Sequence, residues 1–575
     1  MSLLPFGELP PHTPRRFVPA KANLGDWIQV APLYELLAGR GPRCRTVGEL
    51  EDWLLDWSEL GAAIDEESSR RTIAMTCHTE SAEAKQAYLD FVEKVEPELK
   101  PREFELRRLF LAHPLRAQLP PARFEVFNRD TAVKVELFRP ANVPLETEES
   151  KLGQQYQELM GSLTVKFRGE ERTLTQLTPF LEEPDRAVRQ EVWELAARRR
   201  VEEADKLEGI FDQLMALREQ IAANAGFPNY LEYAFRHRGR FDYSPADCLR
   251  FHAAVEQQIM PVVRELQENR RGQLKLPTLR PWDMEVDPLN RPPLRPFRDV
   301  RELQDKTQKI FDLVDAGLAG GFRRMQDLQL LDLDNRKGKA PGGYQSTLNE
   351  ARLPFIFMNA VGVQRDVETL LHEAGHAFHA LATREEPVYH YRHAPIEFCE
   401  VASMSMELLG NEHLEEFFPT PDANRARRTH LEGIVKFFPW MATIDGFQHW
   451  LYTHPGHSRA ERKAAWLGLM DRFGGLTDWS GREEVRAHLW HRQLHIFLEP
   501  FYYVEYGIAQ LGALQVWANS KTDLRAALAA YQKGLALGGS RPLPELFAAA
   551  GCRFDFSDKT IQPLVDLVRR ELARL

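Results

Sequence analysis

His372, Glu373 and His376 form an H-E-x-x-H stretch inside DVETLLHEAGHAFH, residues Asp366 to His379. On a helix the two imidazoles stand one turn apart on the same face, which is how a single helix grips a metal ion. The intervening Glu373 is turned aside and can reach a water on that metal without being a ligand, the division of labour of metal-assisted hydrolysis. Two imidazoles leave such a site incomplete, so a further ligand must come from elsewhere. The metzincin pattern would place a glycine at 379 and a histidine at 382, but those positions hold His379 and Ala382. His379 shares a face with His376, yet a third ligand on one straight helix is badly placed to complete a tetrahedron. It reads as a packed histidine.

The stretch APIEFCEVASMSMELLG offers a better source, with Glu397, Glu400, Ser403 and Glu407 at helical spacing among apolar residues. Buried carboxylates without partners are costly, so acids in an apolar segment point to a cation. Glu400 and Glu407 lie two turns apart on one face, and spacing alone does not choose between them. Near the C-terminus, HIFLEPFYYVEYGIAQLGALQVW carries His495, Tyr502, Tyr503 and Tyr506. Amide hydrolysis develops a negative oxygen that needs donors, and these side chains are candidates. Tyr503 and Tyr506 point the same way at i, i+3, with Tyr502 turned roughly 100° from Tyr503. An aromatic core stripe is the competing reading of the same residues.

The elements that must position these groups are mostly helical. From Trp27 to about Leu115 the apolar residues follow helical spacing, as in Leu50, Trp53, Leu54, Trp57 and Leu60. Helices are also expected over Glu146 to Met160, Leu174 to Arg199, Leu207 to Ala223 and Pro245 to Asn269, with a turn or short hairpin at VKFRGEERTLT. The six prolines of Leu276 to Pro296 forbid a continuous helix, and the segment reads as a linker or long surface loop. RKGKAPGGYQSTL, with Gly338, Gly342 and Gly343, followed by RLPFIFMNAVG, predicts a small sheet whose last strand leads into the H-E-x-x-H helix. An exposed edge strand there could bind an extended peptide by backbone hydrogen bonds.

At 575 residues the chain exceeds what one core supports, so two or more lobes are expected. A net charge of -10 argues against nucleic acid or an anionic membrane as main partner. Cys44, Cys77, Cys248, Cys399 and Cys552 are scattered singly and read as reduced thiols of a cytoplasmic protein. Prolines and charges break up the opening MSLLPFGELPPHTPRRFV before a signal-peptide core could form, and no membrane-length apolar run follows.

The text HEAGHAFH followed by EFCEVASMSMELL resembles the zinc peptidases of the thimet oligopeptidase and oligoendopeptidase F family, looking closest to oligoendopeptidase F. RKGKAPGGYQS, HIFLEPFYYVEYGIAQLGALQVW and FRGEERTLTQL extend the likeness from about residue 120 to the end. The resemblance implies a mainly α, two-lobed helical zincin peptidase with a small β-sheet next to the active-site helix and a deep substrate channel. The expected division is an N-terminal helical lobe over 1–200 and a catalytic region over 201–575. One Zn2+ would be held by His372, His376 and Glu400, with Glu373 as base and Glu368 and Glu407 orienting the ligands. His495, Tyr503 and Tyr506 would stabilise the oxyanion, with Tyr502 able to take the role given to Tyr503. Gly343, Ala360 and His393 are weaker candidates for substrate contact, and His390 with His393 also fits a surface loop. The function implied is a zinc-dependent endopeptidase acting on short unstructured peptides in the cytoplasm. A zincin carboxypeptidase or dipeptidase, or a non-catalytic peptide-binding protein, are the alternatives.

Overall fold

The computed structural model describes residues 3–575, so the first two residues of the proline-rich opening lie outside it. Thr46 caps the long helix α1 (Val47–Cys77) by accepting from the Glu49 amide at 3.2 Å. The predicted stripe Leu50, Trp53, Leu54, Trp57 and Leu60 is its buried face. The text VKFRGEERTLT forms the antiparallel hairpin β1 (Thr164–Phe167) and β2 (Glu170–Thr173). Its turn residues Arg168 and Gly169 both take positive φ, as a two-residue hairpin turn of this twist requires. Helix α2 (Pro245–Ala254) then continues through a π-helical turn at Val255–Ile259.

The Leu276 to Pro296 segment forms no long helix, as its prolines dictate, but with one short 3-10 turn and a bridge from Leu279 to Thr477 it is not a loose surface loop. Trp282 and Asp283 are buried, and Asp283 accepts from Arg186 at 2.8 Å and from Arg189 at 3.3 Å. The expectation of a linker is corrected by this anchor: two guanidiniums pull the carboxylate, and the chain with it, onto the helix Arg186–Glu202.

The second sheet contains β3 (Leu331–Asp334), β4 (Tyr344–Leu348) and β5 (Leu353–Ala360) in the order β3-β5-β4, with β3 parallel and β4 antiparallel to β5. The last strand does lead into the H-E-x-x-H helix, but it is the central strand. A run as apolar as LPFIFM must be covered on both sides. The edge beside the site is therefore β4. Helix α3 (Gln364–Ala382) starts where the Asp366 carboxylate accepts from the amides of Val361, Gly362 and Val363 at 2.8, 2.8 and 3.0 Å. Those three bonds turn strand into helix, with Gly362 supplying the positive φ of the corner.

Helices α4 (Ile396–Asn411), α5 (Thr420–Thr453) and α6 (Tyr503–Thr522) complete the catalytic half. Helix α4 is gripped closely. A Cβ on Gly375 of α3 would come 2.5 Å from the Ser403 Cα, and one on Gly512 of α6 would come 2.6 Å from a Val401 methyl. Most buried apolar side chains form one large core that takes in the second sheet and α3 to α6. A second core gathers residues between Val18 and Phe127, joined by Val388 and Tyr391. The protein is thus mainly helical, with two small sheets. Among the described residues no helix is long and apolar enough to cross a membrane.

Candidate active site

Donor atoms of His372, His376 and Glu400 lie within 4.8 Å of one another. Glu400 Oε2 stands 3.4 Å from His372 Nε2 and 3.7 Å from His376 Nε2. A tetrahedral metal with bonds of about 2.0–2.1 Å has ligand-to-ligand edges of ~3.4 Å, close to the two spacings from Glu400. The sequence left Glu400 and Glu407 open as alternatives, and the fold separates them. Glu400 faces both imidazoles and is steadied by the Ser403 hydroxyl at 2.9 Å, while Glu407 Oε1 takes the far side of His372 at Nδ1, 2.7 Å away.

The other oxygen of Glu407 bonds His430 Nε2 at 2.8 Å, and His430 Nδ1 meets Asn411 Nδ2 at 2.7 Å. This chain holds a proton on His372 Nδ1 and turns Nε2 toward Glu400. Sequence reasoning missed His430 and Asn411. His430 comes from α5 within RARRTHLEG, where no spacing motif marks it. Burial works to raise Glu407, but the bonds from His372 and His430 outweigh it and hold it at about 2. Burial works to lower His372, but the Glu407 bond and the charges of Glu407, Glu400 and Glu373 lift it to about 9. The pocket is therefore negative where a cation would sit.

Glu373 is 8 % exposed, and burial, aided by the Glu400 charge against His372, pushes its carboxyl up to about 7. A backbone bond from Gln345 ties it to the edge strand β4. Glu368, raised by burial, feels the charges of His430 and Glu407, and Gln364 Nε2 reaches it at 3.3 Å. The His372 and His376 side chains keep 25 % and 19 % of their surface exposed, although protein surrounds them closely enough for burial to weigh on both pKa values. That combination describes a concave site open to solvent.

On the opposite wall, Gln493 accepts from Trp440 Nε1 at 3.0 Å and donates through Nε2 to His495 Nδ1 at 2.9 Å. Burial holds His495 at about 4, so the ring is neutral and its remaining proton sits on Nε2. Ring centroids of Tyr502, Tyr503 and Tyr506 lie 5.8, 4.9 and 5.9 Å from that of His495. Tyr502 and Tyr506 are both raised by burial and by the charge of Glu400, whereas Tyr503 is raised by burial while interacting with Gln493, Arg492 and Trp440. Tyr503 also packs 5.8 Å from the Phe437 ring. Tyr502 and Tyr506, at i, i+4, thus face Glu400, and Tyr503 turns toward α5.

The remaining candidates scatter. Gly343 lies just before β4, with its Cα hydrogen toward the Phe357 carbonyl and Met358. Ala360 ends the central strand, paired with Asp334. His393 is exposed, and its charge acts on His376 and His379. His390 faces Asp130 at 3.4 Å and packs on Phe127, in the N-terminal core. His379 is buried against Phe398 and pushed down to about 3 by burial. Glu397 lies beyond the site and accepts from the Tyr243 hydroxyl at 2.6 Å.

Residues 180–565 match Peptidase family M3. In three dimensions the chain is similar to PZ peptidase A, solved with inhibitor 2, at 30% identity and a TM-score of 0.88, covering 97% of this chain and 99% of that one. In sequence it is similar to an oligoendopeptidase F homolog of Borreliella burgdorferi, 24% identical over 224 residues, 38% of this chain and 37% of that protein. It is also similar to the chromosomal oligoendopeptidase F of Lactococcus lactis subsp. cremoris, 29% identical over 109 residues, 19% of this chain and 18% of that protein. These two matches span less than two fifths of the curated relatives' length. With the family match covering more than half its length, and with a trio that could hold a metal ion set around H-E-x-x-H, this chain belongs to Peptidase family M3.

Proposed function

We propose that the protein is a zinc-dependent endopeptidase that hydrolyses short unstructured peptides. The carrying observation is the convergence of His372, His376 and Glu400 from two helices, with the Glu373 carboxyl beside them. His372, His376 and Glu400 would hold the zinc, which when bound would supply Lewis-acid polarisation of the scissile carbonyl and lower a water's pKa to about 7. Glu373 accepts the proton of the attacking water and passes it to the leaving amine, a role suited to a carboxyl raised toward neutrality. Glu407, with His430 and Asn411 behind it, keeps His372 in the ligating tautomer, and Glu368 adds negative charge beside that relay.

His495, through Nε2–H, and the hydroxyls of Tyr506 and Tyr502 donate to the carbonyl oxygen as charge develops on it. We assign Tyr502 this role in preference to Tyr503, because Tyr502 and Tyr506 share the face that feels Glu400. The edge of β4 pairs with extended substrate backbone, with Gly343 and His393 along the approach. Ala360, on the central strand, receives no role.

One observation favours a carboxypeptidase as second reading. Arg492 is exposed, makes no ion pair or hydrogen bond among the described residues, and lies 5.2 Å from the Trp440 ring centroid, next to the Gln493 that holds His495. It could receive a terminal carboxylate. Internally quenched peptides of graded length, with both ends blocked or both free, separate the readings. Cleavage of blocked peptides is expected; cleavage of free-ended peptides alone would establish the exopeptidase. No cleavage of either by the zinc-loaded protein would leave a peptide-binding protein.

A further inference from the structure

A second group of metal-ligating side chains lies buried between α2 and α5, apart from the H-E-x-x-H helix. Cys248 and His252 stand at i, i+4 on α2, and Asp445 and His449 at i, i+4 on α5, so each helix turns a pair of polar groups toward the other. Donor atoms of Cys248, Asp445 and His449 lie within 4.8 Å of one another. Cys248, His252, Asp445 and His449 are 1%, 3%, 0% and 5% exposed. His252 Nε2 bonds Asp445 Oδ2 at 2.8 Å. His449 Nε2 lies 3.3 Å from the same Asp445 Oδ2, whereas Asp445 Oδ1 has no hydrogen-bond partner among the described residues. An orphaned oxygen on a fully buried carboxylate, with a thiol and an imidazole clustered about the same group, is a costly arrangement unless something sits beside it.

We propose that Cys248, Asp445 and His449 bind a second divalent transition metal of the zinc class, with His252 orienting the Asp445 carboxylate. The donor set of thiolate, carboxylate and imidazole suits a borderline-soft ion. A dication with a thiolate and a carboxylate carries no net charge, which a buried site tolerates far better than a lone carboxylate. Burial, reinforced by the Asp445 charge, holds the Cys248 thiol well above its ordinary value, so its proton leaves to solvent only as a cation takes the sulfur. Asp445 stays ionised despite burial because His449 and His252 oppose it. The nearby Arg240 is engaged by Glu505 at 2.8 Å and so does not occupy the place of the cation. The π-helical turn at Val255–Ile259, one turn past His252, is a feature that recurs beside functional sites.

The consequence reaches the active site through α5. Gln448, next to His449, accepts the Phe501 amide at 3.0 Å and extends Nε2 to the His495 carbonyl at 3.4 Å. His449 packs on the Phe501 ring at 5.6 Å, where Phe501 itself has a positive φ of 64°. A metal at Asp445 and His449 would pin the part of α5 that holds the turn from His495 into the tyrosines. Its role is anchoring.

Metal analysis of the purified full-length protein, after equilibration with zinc and removal of loose ions, is expected to return two ions per chain, falling to one in Cys248→Ala. Cobalt-substituted protein is expected to show thiolate-to-cobalt absorption that Cys248→Ala and His449→Gln lose and His376→Ala keeps. The His372, His376 and Glu400 trio contains no sulfur, so this signal reads the second site alone, and failure of either site is seen separately. One ion per chain with no thiolate absorption in the unaltered protein would overturn the proposal. Should Cys248→Ala fail to fold, the cobalt spectra of the unaltered protein and of His449→Gln decide by themselves: absorption present in the first and lost in the second supports the site, and any other pattern overturns it.

Discussion

In the proposed mechanism single atoms of Glu373 and Tyr506 carry the chemistry, and each can be tested by a change of one atom or group. Glu373→Gln keeps the shape and removes the proton acceptor, so kcat is expected to fall by about 10²–10⁴-fold while metal content stays that of the unaltered chain. Steady-state kinetics beside elemental analysis checks both halves. Tyr502→Phe and Tyr506→Phe should each lower kcat by about 10²–10³-fold, as loss of one oxyanion donor does, with KM little changed. Tyr503→Phe should leave kcat within about threefold, since its hydroxyl belongs to the Gln493 and Trp440 side. A larger loss in Tyr503→Phe than in Tyr502→Phe would reverse the assignment. His430→Ala removes the far support of Glu407, and a loss of about 10–100-fold in metal affinity is expected by chelator competition.

Between elements, the site depends on two close fits. Gly375, the glycine of HEAGH, lets α3 approach α4 until a Cβ would touch the Ser403 Cα and the Ala402 carbonyl at 2.5 and 2.6 Å. Both neighbours are backbone and cannot step aside. Gly375→Ala should therefore push the ligand helices apart, destabilising the protein by ~1–3 kcal/mol and weakening metal binding, read by denaturant unfolding and metal retention. The second fit is at the sheet, where buried Lys339 bonds the carbonyls of Asp332, Asp334 and Met358 and the Asp332 carboxylate at 3.0 Å. Burial would raise Asp332, but Arg336, with Cys77 and Lys339, holds it at about 2. Its folded pKa lies below the unfolded value of about 4, so its contribution of ~2 kcal/mol is present above pH 4 and lost as pH falls through about 2. Asp332→Asn should flatten the stability profile across that window in acid titration of unfolding.

At the scale of the molecule, the candidate metal trio draws on α3 and α4, its support on α5, and the proposed donors on α6 and the short helix Leu494–Leu498 before it. Groups so enclosed, yet partly open to solvent, favour chains that can thread inward. Short unstructured peptides are expected to be cut, and the same sequence held in a folded domain to resist at equal concentration, with chelation abolishing the first activity and re-addition of zinc restoring it. Retained cleavage after complete metal removal, confirmed by elemental analysis, would sink the metal mechanism.

The fold class was legible, and the candidate site could be proposed, because both rest on local order. Helical spacing at Leu50 to Leu60, the turn in FRGEE, the strand-forming RLPFIFM and the i, i+4 histidines are each written within a few residues, where backbone geometry alone decides which side chains share a face. Resemblance then pointed to Glu400 as the third ligand, a choice that spacing on α4 left open. Other features were not local. Glu407 reaches the back of His372 through His430 of a later helix, Tyr502 and not Tyr503 shares a face with Tyr506 toward Glu400, and the strand before the helix became central, leaving β4 as the edge. Cys248 and His449 meet only because α2 packs on α5. The chain's text determines which groups each element presents, whereas the packing of elements far apart in sequence decides which of those groups come within bonding distance, because hydrogen bonds and metal bonds act over a few ångströms that only the tertiary structure can close.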